Sequence, residues 1–239
     1  VIVLIKVYEA TDIGLVRSCN EDSLLSLPAD TYMVADGMGG HAAGEVASHI
    51  FVETARKMLS VPDVCYSELL LKKIVLQANQ DILQRVAEHP EYSGMGTTAT
   101  VFHLEGSQGM WAHVGDSRLY LLRDGCLRQV TRDHSLVSDL VENGTITQEQ
   151  AKNHPRKNVL MRAVGVEEEL VVDTGSFAVQ PGDKMLLCSD GLTNMVENDK
   201  IRQLLEAGTA DPAAALAAAA LEAGGLDNVT ALVVEYNAE

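Results

Sequence analysis

Two apolar runs in this chain end on an Asp-Gly pair, and a third run opens just after an aspartate. Tyr32-Met33-Val34-Ala35 leads into Asp36-Gly37-Met38-Gly39-Gly40-His41, Lys184-Met185-Leu186-Leu187 leads through Cys188-Ser189 into Asp190-Gly191, and Leu226-Asp227-Asn228 precedes the last apolar run. A strand that stops on a carboxylate and turns through glycine is expected to place that carboxylate at a sheet edge. Glycine there lets the backbone approach a ligand or take a positive φ. A lone Asp-Gly is ordinary hairpin chemistry. Its repetition constrains the chain, because several strand-end carboxylates are then expected to converge on one place.

With 239 residues, 46% of them apolar, the chain can bury a large core. Neither a linker-like stretch nor a fixed-period repeat divides it, so one domain over 1–239 is expected. The formal net charge of −16 argues against nucleic acid or an anionic membrane as partner, since both need clustered Lys and Arg. Cys19, Cys65, Cys126 and Cys188 lie far apart, with no C-x-x-C pair. They read as reduced thiols of a cytoplasmic protein. The opening Val1-Ile2-Val3-Leu4-Ile5 is too short for a span and reads as a first strand. A soluble monomer is expected.

Strands are expected at 1–8, 23–27 and 31–35, then helices at 44–59 and about 66–87. In the second helix Leu69, Lys72, Lys73, Leu76, Asn79, Gln80, Leu83 and Val86 keep a helical period. Strands follow at 97–104, 109–114, 118–122 and 127–130, with Arg123-Asp124-Gly125 as a hairpin turn. Residues 131–165 are polar and helical in short pieces, with Thr147 and Gln150 as a capping box. Strands at 170–177 and 184–188, helices at 198–206 and 211–223, and a strand at 228–236 complete the order. Asp211, Pro212 and Gly224 supply the N-cap, N1 and post-helix signals of the last helix. Few strands are joined by single crossover helices. The expected class is therefore α+β, with packed antiparallel sheets and helix pairs outside.

Glu21, Asp22 and Asp116 add further acids beside strands. Each acid alone could simply cap a turn. If they share a cleft with Asp36, Asp190 and Asp227, two carboxylates about 5 Å apart repel by about 3 kcal/mol at an effective dielectric near 20. Cations must then answer the charge, and oxygen-only ligands select hard ions such as Mg²⁺ or Mn²⁺ over zinc.

In order, the chain carries Arg17-x-x-Asn20-Glu21-Asp22, Val34-Ala35-Asp36-Gly37-Met38-Gly39-Gly40-His41-x-x-Gly44-Glu45, Gly96-Thr97-Thr98, Val114-Gly115-Asp116-Ser117-Arg118, Ser189-Asp190-Gly191-Leu192 and Asp227-Asn228-Val229-Thr230. This set resembles the metal-dependent (PPM, type 2C) protein Ser/Thr phosphatases, in their compact bacterial form, from about Asp12 to Tyr236. The resemblance implies an αββα sandwich with two Mn²⁺ or Mg²⁺ ions between its sheets. Carried over, Asp36 bridges both ions and Asp190 and Asp227 hold the first. Glu21 and the Gly37 carbonyl hold the second, and Asp22 orients metal-bound water. Asp116 with Asp190 matches a third, weaker metal position, and Arg17 matches the arginine that grips the substrate phosphate, its alternative being a surface ion pair with a nearby acid. The reaction implied is hydrolysis of phosphoserine and phosphothreonine in phosphoproteins by attack of a hydroxide bridging the two ions. It is expected to oppose a bacterial Ser/Thr kinase in signal transduction.

Animal members carry histidine directly after the Asp-Gly pair, where this chain has Met38. His41 is the alternative proton donor, or a residue that only helps the turn. Residues 131–165 match the variable flap beside the site, and Arg156, Lys157 and Arg162 could meet substrate or only solvent. Two other readings fit the same residues: a partner-binding pseudophosphatase, and a hydrolase of small phosphate esters.

Overall fold

The computed structural model describes residues 3–40 and 43–238. All named strand pairings are antiparallel. One sheet contains β1 (Val3–Asp12), β11 (Val229–Ala238), β10 (Lys184–Cys188), β7 (Arg118–Arg123) and β8 (Cys126–Gln129), in that order. The other runs β2 (Asp22–Leu27), β3 (Thr31–Met38), β5 (Ala99–Glu105), β6 (Gln108–Val114), β9 (Asp173–Ala178), with β4 (Gly96–Thr97) paired to β3.

The period-2 alternation of strands divides the apolar residues among three layers. Tyr32 and Val34 of β3 meet Met185 and Leu187 of β10 and Leu232 and Val234 of β11 between the sheets. Met33 and Ala35 face the other way, onto helices α1 (Ala43–Leu59) and α2 (Glu68–Glu88). Leu186 and Cys188 of β10 likewise turn outward, onto α5 (Asp190–Thr193), α6 (Asn198–Glu206) and α7 (Pro212–Glu222). The result is the expected αββα sandwich. Cys188 is a buried strand residue of the outer layer.

Several boundaries differ from the expectation for physical reasons. Asp36 does not sit at a sheet edge: β3 lies between β2 and β5 and continues through Gly37 to Met38, where it pairs with β4. The strand expected at 97–104 is interrupted at Thr98, which bonds Asp36 through both its backbone N–H and its hydroxyl. Helix α2 buries Leu71, Ile74, Val75, Ala78, Asn79 and Ile82; of the residues that keep the expected period, only Asn79 is among them. Apolar triplets at Leu69-Leu70-Leu71 and Ile74-Val75-Leu76 satisfy a helical period on either face, and only the sheet chooses. The strand expected from Leu170 begins at Asp173. The turn at Asp124 (φ 49°) and Gly125 (φ 72°) and the Thr147–Gln150 capping box form as expected. No helix among the described residues is long and apolar enough to cross a membrane.

Between β8 and β9 the flap carries α3 (Leu136–Glu142) and α4 (Gln148–Lys152). It is pinned where it rejoins the body. Val164 bridges Thr97, and the fully buried Asn79 of α2 accepts from Gly165 N–H at 2.6 Å and donates to the Glu167 carbonyl at 2.9 Å. Gly165 has φ +89°, and a Cβ there would meet Ile82 at 2.1 Å, so the return is closely packed. Removing the amide strands two backbone groups. Asn79→Ala is expected to cost about 2–3 kcal/mol in urea unfolding; a loss below about 0.5 kcal/mol, the range of neutral surface changes, would contradict this pinning role.

Candidate metal centre

Asp22 of β2 and Asp36 of β3 are directly opposed in the antiparallel register. Counting alternately from Val34, both fall on the face turned toward the other sheet. Like charges opposed in this way destabilise a strand pair unless something answers them. Across the cleft, Asp190 follows β10 as the first residue of α5, and Asp227 precedes β11. A Cβ on Gly191 would fall 1.9 Å from the Asn228 carbonyl oxygen, so the α5 turn lies directly on the Asp227-Asn228 backbone.

Glycine is required just as strictly on the β3 side. A Cβ on Gly37 would lie 2.1 Å from the Gly44 carbonyl oxygen and 2.5 Å from that of Glu21. A Cβ on Gly44 would lie 2.7 Å from Glu21 Oε1 and 2.8 Å from the Gly37 carbonyl oxygen. Those two oxygens therefore border one small space that a side chain would fill.

Neutral polar residues hold the acids in place. Asp22 Oδ2 accepts from Ser189 Oγ and Thr230 Oγ1, both at 2.7 Å. The Asp36 N–H donates to Thr98 Oγ1 at 2.8 Å, and Thr98 Oγ1 is 2.7 Å from Ser117 Oγ, beside Asp116. Asn228 gathers a whole loop: its Oδ1 accepts from Glu21 N–H at 2.8 Å, and its Nδ2 donates to the carbonyls of Ile13 and Cys19 at 2.9 Å each. That loop carries Arg17, whose Nη2 donates to Asp227 Oδ2 at 2.8 Å. The pair is substantially exposed and contributes little to stability. Asn228, Ser189 and Thr230 were not singled out from sequence, although they sit within or beside the quoted runs.

The electrostatics show an unanswered surplus of negative charge. Withdrawal from water and the neighbouring Asp190 and Asp227 push Asp22 up to about 7, despite its two hydroxyl donors. Burial first, then Asp22, Asp190 and Asp116, raise Asp36 well above the usual carboxylate range. Burial and Asp190 do the same to Asp116, burial and Asp227 raise Asp190, and burial raises Glu21. Asp22 Oδ1 is buried with no hydrogen-bond partner among the described residues. An orphaned carboxylate oxygen, an oxygen-lined gap between Glu21 and Gly37, and a donor set without His or Cys fit hard divalent cations.

Among the described residues no three His, Cys, Asp or Glu side chains close into a ready-made cage around one point. His41 lies outside the described residues. Arg118, by contrast, is committed to structure: it grips Asp133 through Nε and Nη2, the latter at 2.6 Å.

A pH dependence follows. Asp22 titrates near 7 in the folded protein against an ordinary value of 3.8, so between these values the fold holds a proton that the unfolded chain releases. This contribution to metal-free stability is full at low pH and is lost as pH rises toward 7. Cations compete with the same protons. The gain in Tm from added Mn²⁺ over chelator is therefore expected to be larger at about pH 8 than at about pH 5.5. An equal gain at both would contradict the raised carboxylate pKa.

Comparison with known proteins agrees with this geometry. Residues 17–223 match the protein phosphatase 2C family profile. The serine/threonine phosphatase stp of Listeria innocua is 40% identical over 95% of this chain and 94% of its own length. The structure of the Mycobacterium tuberculosis serine/threonine phosphatase PstP/Ppp superposes with a TM-score of 0.92, at 38% identity, over 98% of this chain and 99% of that one. The catalytic domain of PstP in complex with two manganese ions superposes with a TM-score of 0.91, at 37% identity, over 99% of this chain and all of that one. With the sandwich, the order of the acids and these similarities in agreement, the chain belongs to the protein phosphatase 2C family.

Proposed function

We infer that this chain is a metal-dependent protein serine/threonine phosphatase, working as one catalytic domain on phosphoproteins. The observation that carries the reading is the crowding of Asp22, Asp36, Asp116 and Asp190 between the two sheets, where each is driven toward its protonated form. Asp36 would lie between two Mn²⁺ or Mg²⁺ ions, with Asp190 and Asp227 toward one and Glu21 with the Gly37 carbonyl toward the other. Asp116 with Asp190 would serve a third, weaker site. When bound, such ions polarise phosphoryl oxygens and make water acidic enough to act at neutral pH.

The chain's own residues do the rest. Arg17 stands at the rim with its guanidinium held by Asp227, positioned to present paired donors to two phosphate oxygens. Asp22 keeps Oδ2 on Ser189 and Thr230, leaving Oδ1 to accept from a water in the cleft. His41 is retained as a candidate proton donor to the leaving seryl or threonyl oxygen. A Ser/Thr kinase must supply the substrate, and we place the pair in cytoplasmic signalling, with the phosphatase acting as a monomer.

The test is turnover of phosphoserine, phosphothreonine and phosphotyrosine peptides in Mn²⁺ and in excess chelator, with Asp36→Asn alongside. Phosphoserine and phosphothreonine peptides should be hydrolysed only with metal, and Asp36→Asn should lose at least about 100-fold, the usual cost of removing a group that stabilises transition-state charge. Undiminished rates in chelator, or in Asp36→Asn, would refute the metal assignment. Hydrolysis of small phosphate esters but of no peptide would favour a small-molecule phosphatase.

A further inference from the structure

A cavity of about 820 Å³ opens from Asp116 and Asp190 and runs outward between the flap and the turn from α5 to α6. Its inner end carries Asp116 and Asp190 of the candidate metal centre. Its outer part is polar and is lined by three cations, Arg132, Lys152 and Lys157. The acids lining that outer part are already neutralised. Asp133 is gripped by Arg118, and Glu197 takes the Lys152 ammonium at 2.6 and 2.8 Å, joining the flap to the N-cap of α6. Arg132 turns to Asp139 and Glu142 of α3. Lys157 differs: it is half-buried, and its ammonium makes no ion pair among the described residues. Its backbone is anchored, with the Lys157 N–H donating to the His154 carbonyl at 3.1 Å.

The other flap cations are not equivalent to it. Arg162 is held by Asp173 at 2.9 Å, and Arg156 is exposed and does not line the cavity. On a chain of net charge −16, an unpaired cation in a groove leading from the catalytic acids is a selective feature. We propose that this groove receives the substrate chain on one side of its phosphorylated residue, and that Lys157 reads an anionic side chain there. Asp or Glu close in sequence to the phosphoserine or phosphothreonine would then mark preferred substrates. Lys157 is a specificity-determining residue and takes no part in the chemistry. The proposal rests on the phosphoprotein phosphatase reading.

The experiment compares phosphothreonine peptides carrying a single Glu or a single Lys at successive positions on either side of the phosphoresidue, in Mn²⁺. At one or two positions on one side, the Glu peptide should show a KM about 3- to 5-fold lower than its Lys counterpart, the size of a partly exposed ion pair, with little change in kcat. The preference should shrink as salt is raised to about 0.5 M. Lys157→Glu should abolish or invert the Glu/Lys ratio at those positions, and Lys157→Arg should keep it. No preference in the wild type, or the same ratio in Lys157→Glu, would overturn the proposal while leaving the phosphatase reading intact. Failure to hydrolyse any phosphopeptide despite Mn²⁺-dependent turnover of p-nitrophenyl phosphate would overturn both.

Discussion

Asp22 and Asp36 face each other across an antiparallel strand pair, and much of the architecture around them is organised to keep two like charges together. The register leaves no freedom, because a slip by one residue would send Tyr32 and Val34 out of the inter-sheet core and bring Met33 and Ala35 in. Packing of the apolar layers therefore enforces an arrangement that electrostatics alone would break. The opposite sheet adds Asp190 and Asp227 through β10 and β11, whose own alternation is locked by Met185, Leu187, Leu232 and Val234. Burial stabilises the frame, and the frame holds the acids in a state that invites cations.

Around that conflict lies a layer of uncharged polar residues. Ser189 and Thr230 tie Asp22 to the far sheet, Thr98 and Ser117 tie Asp36 to the Asp116 loop, and Asn228 binds the loop carrying Arg17 and Glu21. Each bond contributes about 1 kcal/mol on its own. Together they fix carboxylates that would otherwise swing apart. The glycines act differently, by letting backbone replace side chain: Gly37, Gly44 and Gly191 stand where another chain segment passes within van der Waals contact.

Strand alternation and capping signals made most elements readable in advance, since both are local. Lys184–Cys188 and Asn198–Glu206 appear at the expected residues, and Asp211 caps α7 as expected. What was not legible depended on neighbours distant in sequence. The buried face of α2 was ambiguous until the sheet beneath it selected Leu71, Ile74 and Ala78. The extension of β3 through Gly37 needed Gly96 and Thr97 as partners, and the break at Thr98 reflects its commitment to Asp36. The candidate acids were legible because their residue types and positions beside strands recur along the chain. Asn228 and Thr230 were not, because an asparagine or threonine acquires its role only from the carbonyls and carboxylates that fold around it. The flap cations looked alike as sequence; only the structure separates the unpaired Lys157 from Arg162, held by Asp173.

In the proposed reading the carboxylate cluster is neutralised by divalent cations that share Asp36. Titration of chelator-treated protein with Mn²⁺, following bound metal by equilibrium dialysis in the wild type and in Asp36→Asn, tests it most directly. About two tightly held ions per chain are expected in the wild type, as two such positions with Asp36 between them require, with both lost from the tight-binding range in Asp36→Asn. Unchanged binding in the variant, or no tight binding in the wild type, would contradict it.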